Sequence, residues 1–138
     1  MQKPTRKTLL VLLLIYGAAS LIHFIHSVTP TFGGVNHEPT VEIEGPLDVS
    51  VKAGESIRLS GSISDPNGDD VTVRWWQYAE AGSYPGRVTL ADTTALSTSF
   101  QVPPDATPGN TIHLILEATD NGMPALTRSR RVILSVTP

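Results

Sequence analysis

Two groups of residues have the types and spacing for recognition chemistry. Trp76, Tyr78 and Tyr84 lie within nine residues of one another. Indole and phenol rings stack on the C–H face of a sugar while polar neighbours bond its hydroxyls. Arg74 and Glu80 are near in sequence to act as such neighbours. Gln77 is equally near, but strand parity turns it to the inner side. The alternative for the aromatic group is packing, within the domain or against another one, with Tyr84 and Pro85 folding a loop over Trp76.

The second group is acidic. Asp65, Asn67, Asp69 and Asp70 stand in one short stretch, and Asp120 and Asn121 in another. Oxygen ligands brought together from two loops suit calcium. An EF-hand is excluded, because Asp70 stands where that loop needs glycine and Trp76 where it needs the bidentate glutamate. The competing reading is that DPNGDD and TDNG are turns, with Asx side chains bonding their own backbone. No serine elbow, zinc pair of histidines, phosphate loop or nucleoside-hydrolase aspartate cluster is present, so the domain is expected to be non-enzymatic.

The elements that must position these residues are strands. After Pro39, short alternating runs follow one another with turn signals about every ten residues, the pattern of an all-β sandwich of the immunoglobulin or PKD kind. The runs are 41–44, 48–51, 56–61, 71–78, 87–91, 96–102, 112–119 and 128–136, giving seven strands if the first two form one broken edge. Period-two alternation turns Ile57, Leu59, Val71, Val73, Trp75, Phe100, Val102, Ile112, Leu114, Leu116, Ala118, Val132, Leu134 and Val136 inward. The opposite parity places Arg74, Trp76 and Tyr78 on one strand, His113, Ile115 and Glu117 on a second, and Arg131, Ile133 and Ser135 on a third. These three strands are expected to be neighbours, so their outer face is more apolar than solvation requires. Arg74, Trp76, Tyr78, Tyr84 and His113 are the candidate ligand-binding residues; Asp65, Asn67, Asp69 and Asp120 are the candidate calcium ligands.

Composition narrows the partners. From Pro39 onward there are seven Lys or Arg against twelve Asp or Glu, a balance of minus five. Nucleic-acid binding needs a basic patch, and the clustered cations here are limited to Arg128, Arg130 and Arg131. The absence of cysteine excludes disulfides and thiolate chemistry. At the other end, Leu9 to Ile25 is a stretch of seventeen residues without a formal charge, preceded by Lys3, Arg6 and Lys7. It reads as an N-terminal hydrophobic helix, either a retained signal anchor or a signal peptide cleaved after the small residues Gly17 to Ser20. Both readings carry the sandwich out of the cytoplasm, because the leading positive charges stay inside. His23 and His26, three apart, have the spacing for a metal or proton path, or are polar tips reaching interfacial water. Residues 1–26 thus form the membrane or signal segment, 27–38 a tether containing a solvated His37, and 39–138 the sandwich.

Three stretches carry a family resemblance: Ala53 to Asp70 (AGESIRLSGSISDPNGDD), Trp75 to Gly86 (WWQYAEAGSYPG) and Thr111 to Ile133 (TIHLILEATDNGMPALTRSRRVI). They resemble the C-terminal immunoglobulin-like domain of bacterial secreted proteins called cellulose-binding, where it follows a nucleoside-hydrolase-like domain. The resemblance implies a binding module for a cellulose-like polysaccharide, or a domain that packs against a hydrolase-like protein partner. The hydrolase-like domain does not precede it in this sequence, so a truncated or orphan copy of the accessory domain is a third reading.

Overall fold

The computed structural model describes residues 34–138. The hydrophobic stretch Leu9–Ile25, with His23 and His26, lies outside the described residues, as does most of the tether. Among the described residues no helix is long and apolar enough to cross a membrane.

Among the described residues seven strands form: β1 (Thr40–Ile43), β2 (Asp48–Val51), β3 (Ser56–Ser64), β4 (Val71–Gln77), β5 (Ser97–Gln101), β6 (Thr111–Asp120) and β7 (Thr127–Val136). They build two sheets, β1-β3-β5 and β2-β7-β6-β4, with a 3-10 turn at Ala79–Ala81. All pairings are antiparallel except β2 with β7, which is parallel. The alternating side chains pack between the sheets: Leu59, Trp75, Phe100, Val102, Ile112, Leu114, Leu116, Ala118, Val132, Leu134 and Val136 are buried together. Ile57, Val71 and Val73, at less covered positions, are partly buried against them. Burial of this apolar set is what holds a cysteine-free domain together.

Three details differ from the sequence pattern. β1 and β2 are not one broken edge: the chain crosses between the sheets at Gly45, whose φ of 84° favours glycine. Glu44 N–H still donates to Ser60 O in the first sheet, whereas Leu47 O already accepts from Ile133 N–H in the second. β3 runs on past Gly61 to Ser64, because that glycine sits at a crowded crossing rather than at a turn. A Cβ there would collide with the Leu116 side chain and come within 3.1 Å of Glu42 O. Finally, 87–91 forms no strand. Val88 and Leu90 do turn toward the core, but Val88 N–H donates to the Gln77 side chain (2.9 Å) and Ala91 N–H to Ser99 O (2.8 Å), so its partners are scattered rather than in a ladder.

Candidate functional site

β4, β6 and β7 lie side by side, and register sets the order of residues on their outward face. Trp76 is opposite Ile115, and Ile115 opposite Arg131. One row further along, His113 is opposite Ile133, and Tyr78 N–H donates to His113 O at 2.9 Å. On the other side Arg74 is opposite Glu117, and the two form an ion pair at 3.2 Å. Being solvent-exposed, that pair fixes side-chain geometry more than it stabilises the fold.

The centre of this face is aromatic. The rings of Trp76 and Tyr78 are 5.7 Å apart at their centroids and tilted by 50°. Tyr78 is 39% exposed, while Ile115 beside Trp76 is only 7% exposed although its parity is outward. The neighbouring side chains therefore lie over Ile115 and leave the ring pair as the accessible apolar surface. Beneath this surface Trp76 Nε1 and His113 Nδ1 are shielded from solvent and have no hydrogen-bond partner. Burial pushes the His113 ring below its ordinary pKa; Arg131 adds to that effect and Asp48 opposes it, so the imidazole is neutral at pH 7.

Tyr84 does not belong to this face. It is 7% exposed and packs with the core, its hydroxyl donating to Asp105 Oδ1 at 2.9 Å. Burial first, and then the adjacent carboxylate, raise its phenol pKa. A loop residue carries no strand parity, which is why its position was not legible beside Trp76 and Tyr78. Gln77 takes the inner side: its Nε2 donates to Gly86 O at 3.1 Å and its Oε1 accepts from Val88 N–H, tying down the chain that follows β4. Of the clustered arginines, Arg128 pairs with Glu38, and Arg130 with Glu42 at 3.4 Å.

The acidic residues gather at the end of the sandwich where β3 leads to β4 and β6 to β7. Asp65 Oδ1 accepts from the N–H groups of Asn67 (2.8 Å) and Asp69 (3.0 Å), an Asx-type turn. Asp70 and Asn121 join the two loops: Asp70 N–H donates to Asn121 Oδ1 and Asn121 N–H to Asp70 O, both at 3.0 Å. Asn67 is committed elsewhere, its Oδ1 accepting from His37 N–H at 2.9 Å and its Nδ2 donating to Val35 O at 3.3 Å. Among the described residues no group of three or more His, Cys, Asp or Glu side chains converges on a point where a metal ion could be held.

Asn36 escapes sequence reasoning, since it belongs to a stretch without period. Its Nδ2 donates to Asp120 Oδ1 (3.1 Å) and to Pro124 O (2.8 Å). Asp120, 3% exposed, also accepts from Gly122 and Leu126 N–H through Oδ1, at 3.0 Å each. Burial alone would push its carboxyl up, but the bonds from Leu126, Asn36 and Gly122 hold it below the ordinary carboxylate value.

Residues 56–136 match the family described as cellulose-binding protein Sde0182, C-terminal domain. The chain belongs to this family. The resemblance carried by the doubled tryptophan and the flanking stretches is thus the correct one. Among solved structures, the chain is similar to a nucleoside hydrolase-related hypothetical protein from Saccharophagus degradans that is described as associated with carbohydrate metabolism. The two share 32% identity with a TM-score of 0.71, over 80% of this chain and 28% of that one. The matched residues 56–136 span β3 to β7 and include the outward face of β4, β6 and β7 just described. No curated protein sequence matches the chain.

Proposed function

We propose that this member of the Sde0182 C-terminal family is a non-catalytic carbohydrate-recognition module of the immunoglobulin or PKD kind. In this reading it stands outside the cytoplasm behind its N-terminal hydrophobic segment and binds a cellulose-like polysaccharide on the outward face of the four-stranded sheet. The observation that carries the reading is the tilted Trp76–Tyr78 pair, with the Arg74–Glu117 pair and His113 as polar neighbours. Such a surface stacks on sugar C–H groups and offers charged and neutral partners to hydroxyls. The family description and the carbohydrate association of the similar structure point the same way. The immunoglobulin assignment draws support from the strand order, the parallel β2–β7 pair and a buried tryptophan on the strand that flanks β6.

The test is a pull-down on insoluble cellulose together with a glycan array, using the full chain in mild detergent beside Trp76→Ala and Tyr78→Ala. Binding that falls at least tenfold in folded Trp76→Ala supports the reading; binding unchanged in that variant overturns it. A second reading is favoured by the coverage: this chain spans 28% of the similar solved protein, and the face has an apolar centre. The face then packs against a hydrolase-like protein, and the same pull-down recovers a protein and no glycan.

A further inference from the structure

Three oxygen atoms at the acidic end of the sandwich share one defect. Asp65 Oδ2, Asp120 Oδ2 and Asn36 Oδ1 are shielded from solvent and have no hydrogen-bond partner. Their sister atoms are fully used. Asp65 Oδ1 accepts two backbone N–H groups, Asp120 Oδ1 accepts two and the Asn36 amide, and Asn36 Nδ2 donates twice. Turn bonds in the two aspartates, and cross-segment bonds at Asn36, therefore account for one polar atom of each residue and leave the other unpartnered. Among the described residues no Lys or Arg pairs with Asp65 or Asp120. A buried carboxylate oxygen with neither cation nor donor is costly, and native structures seldom keep one without reason.

The three segments are fastened to one another independently of any ion. Val35 and His37 bond Asn67, on either side of Asn36, and the Asp70–Asn121 exchange holds the two acidic loops together. Asn36 lies against the Cα of Gly122, where any side chain would take its place.

We propose that Asn36 Oδ1, Asp65 Oδ2 and Asp120 Oδ2 hold a calcium ion, with water and nearby backbone carbonyls completing its shell. Carboxylate and amide oxygens are the hard donors calcium takes, and irregular donors from three chain segments suit its flexible coordination better than magnesium's strict octahedron. The ligand set differs from the sequence expectation: Asn67 drops out because His37 and Val35 occupy it, and Asn36 enters. Two carboxylates and one amide make a site of modest charge, so the dissociation constant belongs with extracellular modules, at about 10⁻⁴ to 10⁻³ M. The ion would clamp residues 35–37 onto both loops.

The test is calorimetric titration of the full chain in detergent with calcium chloride, and separately with magnesium chloride, alongside thermal melts in calcium or chelator. One calcium per chain is expected, with a Tm gain on the order of 10 °C at a hundredfold excess over the dissociation constant. Asp65→Asn and Asp120→Asn each keep an Oδ1 acceptor and remove the charge at Oδ2, so both should weaken calcium at least tenfold; the apo Tm stays or rises in Asp65→Asn and falls in Asp120→Asn, whose carboxylate the surrounding N–H groups favour. Gly122→Ala should weaken it by displacing Asn36. If Asp120→Asn fails to fold, Asp65→Asn decides. Absence of calcium binding at 10 mM, preference for magnesium, or a calcium affinity that survives Asp65→Asn overturns the proposal.

Discussion

Trp75 and Trp76 are chain neighbours with opposite surroundings, and replacing each by alanine separates the two faces of β4. Trp75 is 1% exposed, packs at the centre of the core and donates its indole N–H to Ala95 O at 3.0 Å. Truncating it leaves a cavity and an unpaired carbonyl, a loss of about 3 to 5 kcal/mol. At about 4–8 °C per kcal/mol for a domain of this size, Tm falls by roughly 12 to 40 °C, out of a total stability of about 5–15 kcal/mol. Trp76 is half-buried, its indole nitrogen bonds nothing, and its removal uncovers part of Ile115. That loss should stay under about 1.5 kcal/mol. The chain has two tryptophans, so each variant retains one fluorophore and urea unfolding can be followed by its emission. Trp75 alone, in Trp76→Ala, should emit in the blue and shift red on unfolding; Trp76 alone, half-buried, should start redder and shift less. Equal losses from the two variants, or emission from Trp76 as blue as that from Trp75, would refute the assignment of faces.

Two further outcomes follow from the packing and the ionisation described above. Gly61→Ala should cost about 1–3 kcal/mol in a urea titration, since the new methyl group overlaps Leu116 beside the Glu42 backbone. The folded His113 ring has its pKa below the ordinary 6.5, so the unfolded chain binds the proton more readily. The contribution of neutral His113 is whole above pH 6.5 and is lost as the pH falls from there through the folded value. His113→Gln should flatten that part of the stability profile measured by thermal melts.

The strands and their inward faces were legible because a period of two is a direct imprint of the pleat: each of the fourteen residues turned inward by parity is buried or packed on the core. Parity also placed Arg74, Trp76 and His113 on neighbouring strands. What escaped lies where no period operates. Tyr84 follows a 3-10 turn, and its hydroxyl is bonded by Asp105, twenty-one residues away. Asn36 is specified by contacts with residues more than eighty positions distant. The alternation of 87–91 reports burial correctly, but burial does not reveal whether a neighbouring N–H meets a strand or a glutamine side chain.

That same irregular stretch covers strand margins. β4 ends one sheet and β5 ends the other, both on the side along which residues 86–95 run. Thr93 O takes the Trp75 N–H (2.8 Å), and Ala91 N–H goes to Ser99 O (2.8 Å), so one segment occupies hydrogen-bonding groups on both margins. Asp92 fixes its shape by accepting from Thr94 and Ala95 N–H, contacts that also hold its carboxyl below the ordinary value. A regular strand there would have joined one sheet and offered a fresh open margin to the next molecule. By remaining irregular, the segment covers part of both margins and leaves less open backbone there for side-by-side strand addition.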